Sequence, residues 1–179
     1  SIDDAYSLCF DHDPVKSSID IVGRPKIKLT LKSDNKHGHL CVRLCDVSPD
    51  RLSTRITYGL LNLTHRSSHE NPTPIPVNEE FSIELELDQI AYRLLPGNKL
   101  RISLSNAYWP LVWPVAEKAT LTLIKGELLL PVRPESKGPE YIFPKPECAS
   151  PWSRKIVREP YYSNKITTDQ MTDAVKLEI

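Results

Sequence analysis

Two stretches carry residue types at spacings that could hold a metal. In HGHLCVRLC, His37, His39, Cys41 and Cys45 share the two-residue parity of a strand, and imidazole and thiolate are the usual ligands of zinc. A tetrahedral site gathers its ligands within ~2.0–2.3 Å of the ion, and Cys45 lies too far along an extended chain from His37 to join one. The pattern reads as a turn with two solvated histidines followed by a half-buried strand. In HRSSHE, His65 and His69 stand four apart beside Glu70. They lack the H-E-x-x-H order of a zinc hydrolase and run into the loop NPTPIP. No metal and no other cofactor is expected. Nucleophilic chemistry has no better footing. The glycines at 23, 38, 59, 97, 126 and 138 form no G-x-S-x-G elbow, no G-x-G-x-x-G turn and no phosphate loop. No catalytic residue is assigned. Asn62-Leu63-Thr64 matches a glycosylation acceptor but is embedded in a strand, and CDVSPD reads as a hairpin turn rather than a calcium loop.

What remains is SNAYWPLVWP, Ser105 to Pro114. Its prolines cannot continue a ladder, and its indoles are costly to leave in water. Tyr108, Trp109, Pro110, Trp113 and Pro114 are the candidate docking or cleft-lining residues. Pro110 and Pro114 fix φ and lower the entropy cost of an irregular segment. One indole is expected to close the open end of the fold over Leu100, Ile102 and Leu104. The other, with Tyr108, is expected to stay partly exposed for a partner. A competing reading makes Trp109 and Trp113 stacking platforms of a carbohydrate-binding module, which needs an indole face lying flat and open.

The elements that position this loop are strands. KIKLTLK, FSIELEL, LRISLS and TLTLI alternate apolar and polar residues with period two. GHLCVRLCDV and STRITYGLLNLTH are longer strands, and YSLCF and GELLLPV are shorter ones. Turns are expected at Gly23–Pro25, Ser33–Gly38, Ser48–Arg51 and Pro96–Asn98. The expectation is all-β: a jelly-roll β-sandwich, galactose-binding-like, with about eight antiparallel strands. Seven of the sixteen prolines fall between Pro131 and Pro160, which predicts an extended strap over the sandwich. The division expected is a sandwich over 1–133, then a proline-rich extension and the start of a further β segment over 134–179.

Lys plus Arg and Asp plus Glu both number 23 in 179 residues. That balance favours neither nucleic acid nor an anionic membrane. No apolar run approaches the ~20 residues of a membrane span. Cys41 and Cys45 lie on one face, roughly 13 Å apart at ~3.3 Å per residue, too far to bond. Free thiols in a reducing cytoplasm are expected for these and for Cys9 and Cys148. A homodimer is left open. The chain begins at Ser1 without methionine or a leader pattern and stops at AVKLEI, which suggests a piece of something longer.

SLCFDHDPV, IDIVGRPKIKLTLKSD and VRLCDVSPDRLSTRITYGLLNLTHR, followed by QIAYRLLPGNKLRISLSNAYWPLVWP, resemble in order the C-terminal jelly-roll domain of X-prolyl dipeptidyl-peptidase and cocaine-esterase-like serine hydrolases. The resemblance runs from about Tyr6 to Pro134. It implies an α/β-hydrolase domain of the same polypeptide as partner, with the Ser-Asp-His triad in that domain. It also implies a non-catalytic role for the residues present, packing on the hydrolase domain and helping to form its substrate cleft. Arg51 stands where proteins of this type usually have glycine, and Asn98 where they tend to have histidine. A left-handed turn conformation is expected to make the asparagine neutral.

Overall fold

The computed structural model describes residues 2–134, 142–153, 155–169, 171–172 and 174–178. The backbone divides into two compact units, Ser1–Lys137 and Gly138–Ile179. Part of the proline-rich stretch, 135–141, lies outside the described residues.

The first unit opens with one helical turn, α1 (Ile2–Ala5), and continues in strands: β1 (Leu8–Asp11), β2 (Ile19–Gly23), β3 (Lys26–Ser33), β4 (His39–Val47) and β5 (Ser53–Asn62). A short 3-10 turn at Leu63–His65 leads to β6 (Glu80–Glu86), β7 (Ile90–Leu94), β8 (Lys99–Ser105) and β9 (Leu121–Leu129). Every strand ladder is antiparallel. One sheet has the order β1-β8-β4-β5, a second β6-β3-β9, and β2 pairs with β7. Alternation places Ile27, Leu29 and Leu31 of β3 on one inner face and Leu40, Val42 and Leu44 of β4 on the other. These six, with Phe81, Ile83, Leu100 and Leu104, belong to one buried cluster. Burial of each such side chain contributes about 1.5–3 kcal/mol before entropy is counted. The arrangement is the β-sandwich that the alternation predicts.

Three local differences from the sequence reading have physical causes. TLTLI and GELLLPV are not two strands, because β9 runs continuously past Gly126. A bulge carries it: Thr30 pairs with Lys125 and Leu31 with Leu123, leaving Ile124 as an extra residue. The bulge resets the parity, so Leu121, Leu123 and Leu128 all pack against the core. β2 and β7 are strands absent from the sequence reading, since each is only five residues long; β2 has no clean burial alternation, whereas β7 alternates, with Ile90, Tyr92 and Leu94 turned inward. Finally, Asn98 is not left-handed; the positive φ falls on Gly97, at 86°. Asn98 instead donates its amide to both oxygens of the buried Asp46 carboxylate, at 2.9 and 3.0 Å, and Tyr92 donates its hydroxyl to the same group at 2.7 Å. That contact helps push the Tyr92 hydroxyl up to about 12, burial being the larger cause.

The second unit contains one hairpin, β10 (Lys165–Thr168) paired antiparallel with β11 (Val175–Glu178). Its turn is tied by Asp169, whose carboxylate accepts from the Met171 and Thr172 amides. Ile166 faces Leu177 across the hairpin, and all the described residues of both strands are exposed.

A covered outer face and its aromatic loop

Outward-facing residues differ sharply between the two large sheets. On the β6-β3-β9 sheet they form an exposed ladder of alternating charge. Lys26 pairs with Glu86 at 2.7 Å and Glu84 at 3.6 Å, and Lys28 with Glu84 at 3.7 Å. On the β1-β8-β4-β5 sheet, register places Cys9, Ser103 and Arg43 in one row and Cys41 beside Ser105. Arg43 is only 2% exposed.

A charge on the outside of a sheet is buried only if something covers and neutralises it. The α1 turn does so. Asp4 lies 3.2 Å from one Arg43 nitrogen and 3.1 Å from Arg101, and Ser103 donates to it at 3.1 Å. Arg43 also donates to the Ser7 hydroxyl at 2.7 Å and faces Asp3 at 3.6 Å. Arg101 forks onto Asp11 at 2.6 and 2.9 Å. Burial opposes charge on Asp4, yet hydrogen bonding with Ser53, Arg101 and Ser103 and the Arg43 charge hold its carboxyl below the usual range. Burial pushes the Cys41 thiol up to about 11 and raises Cys45 as well, so neither is a ready thiolate or metal ligand. The cluster ties charges to charges and anchors a segment.

The loop after β8 covers a further part of this face, by His39, Cys41 and Leu60. Ser105 donates to the Ala107 carbonyl and Asn106 to the Ala119 carbonyl, at 2.9 and 2.7 Å. The Val112 amide closes the turn onto the Tyr108 carbonyl at 2.9 Å. Tyr108 is half-buried. Its ring centre lies 5.5 Å from the Arg43 guanidinium and 5.8 Å from that of Arg55, which also donates to its hydroxyl. Tyr58 meets the ring edge-on at 5.9 Å. Beneath the loop is a cavity of about 130 Å³ lined by His39, Cys41, Leu60, Asn62, Tyr108 and Val112. His39 and Cys41 thus share a wall, while His37 is exposed away from it. Among the described residues no three His, Cys, Asp or Glu side chains gather as metal ligands.

The sequence reading of the tryptophans needs correction. Neither closes the sandwich over Leu100, Ile102 and Leu104. Trp109 is 59% and Trp113 76% exposed, and Leu100 and Leu104 are buried without them. Tyr108 takes the contact with the sheet because its hydroxyl finds Arg55 while its ring lies within about 6 Å of two guanidinium groups. The indoles pack on each other instead, centres 5.0 Å apart at 70°. Pro110 follows Trp109 through a cis bond, and both Pro110 and Pro114 are exposed. The sequence reading missed Arg43, Asp4 and Arg101. A signal was present: parity sets Arg43 between Cys41 and Cys45, an arginine flanked by two apolar thiols on one face.

The domain described as the X-Pro dipeptidyl-peptidase C-terminal non-catalytic domain matches residues 1–151. Among curated proteins the chain is similar to cocaine esterase of Rhodococcus sp. (strain MB1 Bresler), with 21% identity over 103 residues, 58% of this chain and 18% of that protein. Among solved structures it is similar to an alpha-amino acid ester hydrolase, with TM-score 0.67 and 18% identity over 72% of this chain and 26% of that one. A CocE/NonD family hydrolase from Staphylococcus aureus gives TM-score 0.63 and 14% identity over 73% of this chain and 31% of that one. The chain therefore spans under a third of the length of each relative.

Proposed function

The chain belongs to the family of X-Pro dipeptidyl-peptidase C-terminal non-catalytic domains, and on that premise we propose that it serves as the β-sandwich of a serine hydrolase acting on an ester or X-Pro peptide bond. It packs on the α/β-hydrolase domain and helps wall the substrate cleft through Tyr108, Trp109, Pro110, Trp113 and Pro114. The observation that carries this reading is the pair of exposed indoles on a turn stiffened by proline, held to the sheet by Tyr108. Large aromatic groups presented this way are characteristic of the centre of protein interfaces. The four free cysteines, two of them buried, support a reducing compartment such as the cytoplasm.

The test has two arms. The chain alone should release no product from p-nitrophenyl esters or Gly-Pro-p-nitroanilide above a heat-killed control, and the full polypeptide that carries it should turn over one of them. Turnover by the chain alone would overturn the non-catalytic reading. Binding of the chain to a glycan array, lost on Trp109→Ala or Trp113→Ala, would favour the carbohydrate alternative. The 70° angle between the indoles argues against a shared flat stacking surface.

A further inference from the structure

The structure assigns the docking face: the outer face of the β1-β8-β4-β5 sheet is the side covered by the catalytic domain, and the outer face of the β6-β3-β9 sheet stays in water. This rests on the proposed function and adds a direction to it. Three observations carry it.

The first is the contrast in chemistry. The β6-β3-β9 face is a ladder whose lysines and glutamates neutralise one another while remaining exposed, and such a surface loses hydration without gaining new pairs when covered. The opposite face already has Arg43 buried at 2% and thiols at Cys41 and Cys45 beneath only a thin cover.

The second is a set of exposed aromatic residues along the rim of that cover. Tyr6 (83% exposed) and Trp109 line one cavity of about 160 Å³ together with Asp3, Ser7, Arg43 and Tyr108, and Trp109 touches Trp113. Leu111, at 52%, lies on the turn between the indoles. A surface of this kind marks a protein contact.

The third is where the chain enters. Because the domain is C-terminal by family, the catalytic part of such hydrolases lies on the N-terminal side, and the relatives are more than three times as long as the matched region. The α1 turn through which the chain arrives is ion-paired by Asp3 and Asp4 onto Arg43 and Arg101. The entering segment is thus clamped on the same face as the indoles, and one occupant, the catalytic domain of the same polypeptide, accounts for both.

The experiment is covalent footprinting of the full polypeptide, with hydroxyl radicals reading Trp109 and Trp113 and an acetylating ester reading Lys28 and Lys125. The expected result is oxidation of both indoles slowed by about tenfold against a free indole amide, as in a dry interface core, with both lysines acetylated at the rate of a free amine. Protection that is unchanged on dilution assigns the cover to the same polypeptide. Protected lysines with reactive indoles would overturn the face assignment and leave the packing reading intact. Reactivity at both faces would overturn both. Indole protection that disappears on dilution would give the face to a second copy of the chain and overturn the inference.

Discussion

The guanidinium carbon of Arg43 lies 5.5 Å from the centre of the Tyr108 ring, so a buried cation of β4 and the first aromatic residue of the exposed loop form one unit. Arg55 completes it by bonding the Tyr108 hydroxyl. Tyr108→Ala should cost about 1–2 kcal/mol, from the lost hydroxyl bond to Arg55 together with the cation–π contact and the aromatic pair. Tyr108→Phe should cost about half of that, since only the hydroxyl bond is lost. Urea unfolding measures both. Trp109→Ala and Trp113→Ala should each fall near or below 1 kcal/mol, because their rings are already largely in water.

Acid should loosen the α1 clamp. The Asp4 carboxyl is held below its ordinary value of 3.8 in the folded chain. Its contribution is therefore complete above that value and is lost as pH falls through the lower folded one. Asp4→Asn should cost about 2 kcal/mol at neutral pH, the low side for breaking a buried pair, because Asp3 still faces Arg43. Below about pH 4 the two stability curves should converge. A variant that runs parallel to the parent throughout the acid range would show that Asp4 does not titrate with folding.

Two glycines should respond differently to one added methyl. At Gly59 a Cβ would sit 2.7 Å from a Leu87 methyl and 3.1 Å from the Glu86 carbonyl oxygen, where β5 crosses the end of β6. Gly59→Ala should cost about 1–3 kcal/mol by overpacking. At Gly38 the nearest atoms are 3.5 Å away, so Gly38→Ala should change the urea midpoint little.

Arg51 adopts φ of 68° in the turn closed by its amide on the Ser48 carbonyl. A left-handed residue with a Cβ costs about 1–2 kcal/mol, and glycine loses part of that gain to unfolded-chain entropy. Arg51→Gly should therefore stabilise the chain by about 0.5 kcal/mol, read as a higher melting temperature.

The thiols should separate by burial. Cys148 is exposed and should alkylate first. Cys41, with its thiol at about 11, and Cys45 should react only on unfolding. Intact mass after iodoacetamide in denaturant should show four labels; fewer would indicate a bridge.

Much of the sandwich is written in plain alternation, as in β3, β6 and β8, where each second residue reaches the same core. Legibility fails where the ladder is interrupted. Gly126 looked like a strand end because sequence cannot show that its missing side chain makes room for Leu29, 3.0 Å from where a Cβ would stand. β2 and β7 were hidden because five-residue runs are too short to stand out from the loops around them. At the candidate site the residue types were legible and their order of burial was not. Trp109 and Trp113 offer more apolar area than Tyr108, and area alone assigns them inward. The outcome turned on Arg43 and Arg55, which are distant in sequence and supply what a phenol needs.

The bulge in β9 bears on how this gene can change in length. Ile124 has no partner of its own, because Leu123 and Lys125 already face consecutive residues of β3. Loss of its codon would leave a regular ladder, with Gly126 and Leu128 still turned inward and Lys125 and Glu127 outward. The partner strand holds no such surplus. A codon lost from the middle of β3 would exchange Ile27 or Leu31 with a lysine across the sheet. Deletions recovered in a folding screen should therefore cluster at Ile124 and avoid the strand beside it.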